Sequence, residues 1–186
     1  REASREPTHA KELLAGAPVY KSTLDACKEG VGRVWVPAER SLAPTVLRYK
    51  WPQEVVARLL THDNPTGNIT NSDLEMAAEV LGWLVLEANV PLRWIRVGVC
   101  SDNTPAVAWA MIWASKKSHV ANRLLRILTI WMRVNRASPF TTKHLAGVKN
   151  MLGDIPSRSF GYNAKWHFEN DNDFLAFFNS EFPLPF

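Results

Sequence analysis

The sequence contains little cysteine and no long apolar segment. Its 186 residues include 2 cysteines, Cys27 and Cys100, whereas a zinc site or a disulfide framework needs about four at short spacing. Both are predicted to be reduced thiols without a catalytic role, which favours an intracellular protein, cytoplasmic or nuclear, and leaves secretion open. No apolar run reaches the roughly 18 residues that cross a bilayer, so no membrane partner is expected.

Acidic residues are missing from the middle of the chain. The net charge is +4, yet no Asp or Glu lies between Asp102 and Asp154. The basic residues of this acid-free stretch are Lys116, Lys117, Arg123, Arg126, Arg133, Arg136, Lys143 and Lys149. A solvated basic face and a surface that contacts phosphates both fit this pattern.

The length and the 46% hydrophobic content predict one domain with a sizeable core. Residues 1–17 are polar and rich in small side chains, which is typical of an arm or linker. Residues 18–160 are predicted to form the domain, and 161–186 a C-terminal tail or an extension of it. Because the chain starts with Arg1 rather than Met, it is expected to be a fragment of a longer chain or a trimmed product.

Hydrophobic periodicity predicts a mixed α/β fold. Three strands come first and form antiparallel pairs, then a long amphipathic helix capped by Asn71 or Ser72, then two strands separated by helices capped by Asn103 and Ser118. The predicted strands span 19–26, 31–37, 46–51, 94–101 and 139–144. Helices that cross between the later strands indicate a sheet that is partly parallel.

Four carboxylates fall at the ends of these elements. Asp25 ends the first strand, Asp102 ends the buried fourth strand, Glu75 lies in the first turn of the long helix, and Asp154 follows the last strand. Strand ends of an open α/β sheet converge on one crevice. Clustered carboxylates repel unless cations neutralise them, so the pattern predicts Mg²⁺ or Mn²⁺, with two ions able to catalyse phosphodiester cleavage.

Four motifs together resemble the ribonuclease H family, and more closely the RNase H domains of retrotransposon polyproteins. They are LDACKEGVG, NSDLEMAA, SDNTPAVAW and KHLAGVKNMLGDIPSR, and they occur in the family's order. The resemblance implies an RNase H-like fold, with a mixed five-stranded sheet and helices on both faces. It also implies a two-metal ribonuclease H that cuts the RNA strand of RNA-DNA hybrids, with reverse transcriptase preceding it in the same polyprotein.

The same resemblance assigns roles to individual residues. Asp25, Glu75, Asp102 and Asp154 would be catalytic metal ligands, and His144 would be a mobile histidine that assists proton transfer or product departure. Singly, each carboxylate could instead be a helix cap or an ordinary strand end. Ser157 and Arg158 are expected to fix the start of a helix, with a phosphate contact as the alternative. The candidate nucleic-acid contacts are Asn71, Asn103, Lys116, Lys117, Arg123, Arg126 and Asn150, of which Asn150 could instead hold the backbone of its loop.

Three residues depart from the family's pattern. Cys27 replaces a common Ser, Gly153 replaces an Ala, and Arg33 replaces a Gly, which is expected to affect how the hairpin fits a substrate. Two alternative functions remain open. One is a domesticated, inactive domain that binds nucleic acid or protein, and the other is a DNA-cutting enzyme of the same fold, such as a resolvase or integrase core.

Overall fold

Five strands form one mixed sheet. The computed structural model describes residues 17–91, 93, 95–138, 140–161 and 165–183, so nearly all of the predicted arm and the predicted strand residue Trp94 lie outside it. The strands, in chain order, are β1 (Tyr20–Ala26), β2 (Gly30–Pro37), β3 (Thr45–Lys50), β4 (Val97–Ser101) and β5 (Thr141–His144). Their order is β3-β2-β1-β4-β5, with β1–β2 and β2–β3 antiparallel and β1–β4 and β4–β5 parallel. The predicted mixed sheet is confirmed.

Helices connect and cover these strands. They are α1 (Gln53–Val56), α2 (Asn71–Asn89), α3 (Thr104–Ile112), α4 (His119–Val134), α5 (Met151–Ser157) and α6 (Asp171–Glu181), with a 3-10 turn at Gly147–Lys149. Asn103 and Ser118 cap α3 and α4 as predicted, each accepting a backbone N–H. The cap of α2 is Thr70 rather than Asn71 or Ser72, because Thr70 and Asp73 form a capping box.

The sheet is covered on both faces. Val34 and Trp35 are neighbours on β2 and therefore point to opposite faces. Trp35 belongs to the core that includes Trp83 and other α2 residues. Val34 packs with Ile155 of α5 and with Phe174 and Phe178 of α6. The region after residue 160 thus contributes a helix to the core on the second face.

Arg48 on β3 holds this C-terminal segment against the sheet. Its guanidinium donates to Ser159 Oγ at 2.6 Å, to the Ser159 and Phe168 carbonyls at 3.1 and 3.0 Å, and to Asp171 Oδ1 at 2.7 Å. It also lies over the ring of Phe174, 5.1 Å from the centroid. One buried cation therefore joins β3, the end of α5 and the start of α6.

Arg33 lies in the core rather than towards a substrate. Its side chain is fully buried between β2 and α2, where it pairs with Glu79 at 3.0 Å and donates to Ser22 Oγ at 2.8 Å. Trp83 donates its indole N–H to Glu79 at 2.8 Å. A side chain at Gly82 would overlap the guanidinium. The expectation that Arg33 shapes the hairpin's fit to a substrate is therefore wrong.

Helix α4 is amphipathic, with apolar residues buried on one face and basic residues exposed on the other. Leu125, Leu128 and Met132 are buried, whereas Arg123 and Arg126 are exposed. The exposed face also carries apolar side chains, since Ile127, Ile130 and Val134 are 55%, 65% and 74% exposed. No helix in the described part of the chain is both long and apolar enough to span a membrane.

The buried ion pair generates a stability prediction. Glu79→Gln should lower the free energy of unfolding by about 3 kcal/mol or more, because it leaves the buried Arg33 charge without a counter-charge. Glu87→Gln is the matched control, since Glu87 lies on the same helix and also accepts a tryptophan N–H, from Trp131 at 2.8 Å, but is exposed. It should cost less than about 1 kcal/mol. Urea unfolding of both variants measures the difference, and equal losses would contradict the prediction.

Candidate active site

Parallel pairing brings two aspartates to one edge of the sheet. In the β1–β4 register, Thr23 lies opposite Cys100. Asp25 is two residues further along β1, and Asp102 directly follows β4. Because parallel neighbours end at the same edge, both carboxylates emerge side by side, as the sequence predicts.

The third aspartate arrives on α5, which lies directly on the β1–β2 hairpin. A Cβ at Gly32, the β2 partner of Asp25, would overlap the backbone of Gly153 and Ser157. A Cβ at Gly153 would come within 2.8 Å of the Leu24 backbone. Two glycines thus allow a close backbone contact that no larger residue permits. This contact places Asp154, which is the fourth residue of α5, close to the end of β1.

Asp25, Asp102 and Asp154 form a carboxylate cluster. One oxygen from each lies within 4.8 Å of the others. Asp25 is buried, and the other two are partly exposed. Gly147 gives room for Asp102, because a Cβ there would lie 2.9 Å from its Oδ2. These are three of the four carboxylates predicted to converge.

Glu75 lies beside this carboxylate cluster and is not a member of it at that distance. It occupies the fifth position of α2. Its Oε1 accepts the Ala26 backbone N–H at 3.0 Å and its Oε2 accepts the Ser101 hydroxyl at 3.2 Å. These bonds connect α2 to the ends of β1 and β4. They leave Glu75 fully buried beneath the aspartates, with both oxygens engaged.

Ser157 and Arg158 contact the cluster at the end of α5. The Ser157 hydroxyl donates to Asp25 Oδ2. Arg158 places Nε 3.6 Å from Asp25 Oδ2 and Nη2 3.4 Å from Asp154 Oδ1. The expectation that these two residues fix a helix start is therefore wrong, because the helix ends there. The available signal was that Ser157 and Arg158 lie three and four residues after Asp154, a spacing that places them on the same face of a helix.

Burial and mutual repulsion raise the pKa values of these acids. Burial is the largest cause for each. It raises the pKa of Asp25, although the Ser157 hydrogen bond and Arg158 oppose the shift. Burial and the Asp25 charge together raise the pKa of Glu75 well above its ordinary value and that of Asp154 to about 6. The ionised form of these acids is therefore unfavourable unless a positive charge neutralises it.

His144 ends β5 next to the cluster and is exposed. Its Nε2 lies 3.2 Å from the carbonyl oxygen of Asp102. A proton on Nε2 would be donated to that oxygen, which leaves Nδ1 as the acceptor. The predicted histidine thus lies beside Asp102, with its side chain exposed.

Asn150 has a structural position. It is fully buried, and its Nδ2 donates to the Leu24 carbonyl at 2.9 Å. It ties the start of α5 to β1 one residue before Asp25. A direct contact with nucleic acid is incompatible with this burial, which corrects that assignment.

The other predicted nucleic-acid contacts lie at the surface or next to the site. Asn71 is exposed one helical turn before Glu75. Asn103 follows Asp102, and its Oδ1 accepts the Ala106 N–H at 3.0 Å as the cap of α3. Lys116 and Lys117 are exposed in the turn between α3 and α4.

Cys27 lies close to the site but is held as a thiol. Its Sγ donates to the Ser157 carbonyl at 3.3 Å. Burial is the main reason that its pKa is raised to about 11. A thiolate at neutral pH is thus disfavoured, which agrees with the predicted lack of a catalytic role. Cys100, also unpaired, has its pKa raised by burial as well.

Comparison with known proteins identifies the fold. No family model and no curated protein matches the chain. Among solved structures, LC11-RNase H1, isolated from compost by a metagenomic approach, aligns with a TM-score of 0.53 and 14% identity over 75% of this chain and 93% of that chain. The fold is that of ribonuclease H.

Two further structures match with lower scores. The N-terminal RNase H domain of a Mycobacterium tuberculosis protein, fused to maltose-binding protein, has a TM-score of 0.48 at 12% identity over 72% of this chain and 93% of that chain. RNase H1 of Halobacterium salinarum NRC-1 has 0.47 at 10% identity over 73% and 91%. At 14% identity, the alignment with LC11-RNase H1 shows a shared fold and no more, so any argument for activity has to come from the side chains at the site.

The carboxylate cluster of this ribonuclease H fold fits a hard divalent cation. Oxygens that bind one Mg²⁺ lie up to about 4.2 Å apart, twice the metal–oxygen distance. The three aspartates are within 4.8 Å, so they need to close by less than about 1 Å. All the donors are carboxylate oxygens, which Mg²⁺ and Mn²⁺ prefer over softer ligands.

The raised carboxylate pKa values predict how stability depends on pH without metal. A folded-state pKa of about 6 for Asp154 means that the folded protein keeps a proton that the unfolded chain, with a pKa near 3.9, has lost. Asp154 therefore destabilises the fold increasingly as pH rises through that window. In EDTA, Asp154→Asn should be stabilised relative to the wild type by an amount that grows from about pH 4 to 7.

Urea unfolding across this pH range measures the difference between the two proteins. Asp63→Asn is the control, because Asp63 is an exposed loop residue and the substitution removes the same charge. A difference between Asp154→Asn and the wild type that stays constant or shrinks with rising pH would contradict the prediction.

Proposed function

We propose that the protein is a metal-dependent endonuclease that cleaves the RNA strand of RNA-DNA hybrids. The observation that supports it most is the convergence of Asp25, Asp102 and Asp154 at one edge of a ribonuclease H fold, with Glu75 buried beneath them. A structural role does not account for this arrangement, because burial and then mutual repulsion raise the pKa values of these acids, which opposes folding near neutral pH.

In this proposal the aspartates hold Mg²⁺ or Mn²⁺, two ions in the active complex. Bound divalent cations supply the charge that activates a water molecule and stabilises the leaving oxygen of a phosphodiester. The protein's own part is to orient the ligands. Ser157 fixes Asp25 by a hydrogen bond, and the backbone contact of α5 places Asp154. Glu75 has both oxygens engaged, so it joins the ligands by turning away from Ser101.

His144 is proposed to move a proton at the rim of the site. With Nε2 donating to the Asp102 carbonyl, its Nδ1 can accept a proton, and its exposure allows it to reach solvent or substrate. This position agrees with a role of His144 in proton transfer or product departure. Neither role needs a bond from His144 to the carboxylates of the cluster.

The hybrid is proposed to lie along the acid-free surface of α4 and the turn before it. Lys116, Lys117, Arg123 and Arg126 are exposed there. Such side chains contact phosphates and read no bases, so recognition would depend on the shape of the duplex and its 2′-hydroxyls.

The chain is further proposed to belong to a retroelement polyprotein, with reverse transcriptase preceding it, and to act inside the cell. The motif KHLAGVKNMLGDIPSR supports this. In the structure, that stretch supplies His144, Asn150, Asp154 and Ser157 to the site or its support.

A second candidate function is an inactive domain that binds protein. The exposed Ile127, Ile130 and Val134 on α4 favour it, since isoleucine and valine gain nothing from a phosphate backbone. This candidate needs no divalent cation, and substrate turnover separates the two.

The test of activity uses labelled RNA-DNA hybrid, double-stranded RNA and duplex DNA, each with Mg²⁺, Mn²⁺ or EDTA. Cleavage is expected for the RNA strand of the hybrid, with metal only. Asp102→Asn should slow it by about a hundredfold or more, because even the groups that orient metal ligands are worth 10–100-fold. The control is Asp63→Asn, which removes the same charge from an exposed loop. Wild-type rates for Asp102→Asn would exclude the site, and cleavage of duplex DNA alone would favour a resolvase-like enzyme.

Binding of the hybrid gives a separate prediction. Arg123→Ala combined with Arg126→Ala should weaken binding equally for unrelated sequences and lower the slope of log affinity against log salt by about one to two. Fluorescence anisotropy of hybrids with catalysis blocked by Asp102→Asn measures both quantities.

The matched control is Arg40→Ala combined with Arg58→Ala, two exposed arginines outside the acid-free stretch. If the α4 variant keeps the affinity and slope of its parent, the basic face is only solvated and the protein-binding candidate gains support.

A further inference from the structure

Arg158 lies between the carboxylates and solvent. Its guanidinium contacts two members of the cluster at once, with Nε 3.6 Å from Asp25 and Nη2 3.4 Å from Asp154. It is thus a positive charge at the edge of the space in which the three aspartates would hold a cation.

The contacts of Arg158 are loose. Charge-assisted N–H···O bonds are normally about 2.7–2.9 Å long, whereas both of these distances are well above that range. The Arg158 side chain is 49% exposed, compared with 5% for Asp25 and 18% for Asp154. The guanidinium can therefore swing into water, while the carboxylates stay where the backbone holds them.

Arg158 is also not the residue that positions Asp25. The Ser157 hydroxyl donates to the same Oδ2 atom and is buried, and β1 pairs on both sides. Arg33 shows the contrasting arrangement, with a fully buried guanidinium 3.0 Å from Glu79 Oε2. Of these two arginines, Arg33 is buried in the core, whereas Arg158 is half exposed at the rim of the cluster.

We propose that Arg158 is an internal counter-cation, which neutralises the cluster in the metal-free protein and is displaced by divalent cations. It regulates the metal site and so rests on the proposed function. Its removal should make cation binding tighter, because the competing charge is gone. If Arg158 served instead to orient the ligands, its removal would make cation binding weaker. Whether the Kd for the cation falls or rises therefore distinguishes the two roles of Arg158.

The experiment is calorimetric titration of metal-free protein with Mn²⁺ and with Mg²⁺ at fixed pH and ionic strength. Arg158→Gln is expected to lower the Kd by about three- to tenfold, the range for two partly exposed ion pairs. Its melting temperature should fall in EDTA and recover with excess cation, so that the cation-induced increase exceeds that of the wild type. Arg158→Lys, which keeps the charge, should lie between the two.

Arg40→Gln controls for the net charge, since Arg40 follows β2 at the end of the sheet opposite Asp25. It should change the Kd by less than about twofold. An unchanged or higher Kd for Arg158→Gln would overturn the inference, as would a variant that stays unfolded with excess cation. If the wild type itself binds no cation, the proposed function fails, and this inference with it. If the wild type binds the cation tightly and Arg158→Gln does not bind it more tightly, the inference is wrong but the proposed function still stands.

Discussion

The close contact of α5 with the β1–β2 hairpin is the constraint on which the candidate site depends. Gly32 and Gly153 bring two backbones together at a distance that any Cβ would prevent. The same contact delivers Asp154, Ser157 and Arg158 to Asp25. Without it, β1 and β4 would still present two aspartates at the sheet edge, but neither the third carboxylate nor the groups that hold and balance Asp25 would be in place.

Charge is balanced differently in the core under the sheet and at the edge where β1 and β4 end. Under β2, Arg33 and Glu79 neutralise each other in a dry core, and the pair is closed to solvent. At the sheet edge, the carboxylates outnumber Arg158, and burial together with mutual repulsion raises the pKa values of Asp25, Glu75 and Asp154. A structural ion pair is satisfied as it stands, whereas the proposed cation would offset the charge repulsion at the strand ends. That difference is the physical basis for assigning chemistry to the edge.

Local patterns predicted most of the elements because the physics behind them is local. Asn103 and Ser118 cap helices with their own neighbours' N–H groups, and the period of α4 separates Leu125 and Leu128 from Arg126. The prediction failed at 151–157. Ser157 and Arg158 were expected at the start of a helix, but they lie at the end of α5, whose Ile155 is buried in one cluster with Val34 of β2. That contact is long-range, so the local pattern does not contain it.

The sequence by itself determined the order of the elements and which carboxylates stand at their ends, because these follow from periodicity and from the chain order of four motifs. Tertiary structure decided which charges meet. Arg33 pairs with Glu79, 46 residues away in the sequence, and Ser157 donates a hydrogen bond to Asp25, 132 residues away. It also decided that Glu75 lies beneath the aspartates and that Asn150 is buried. The reason is that burial and long-range pairing depend on the path of the whole chain, which no local spacing encodes.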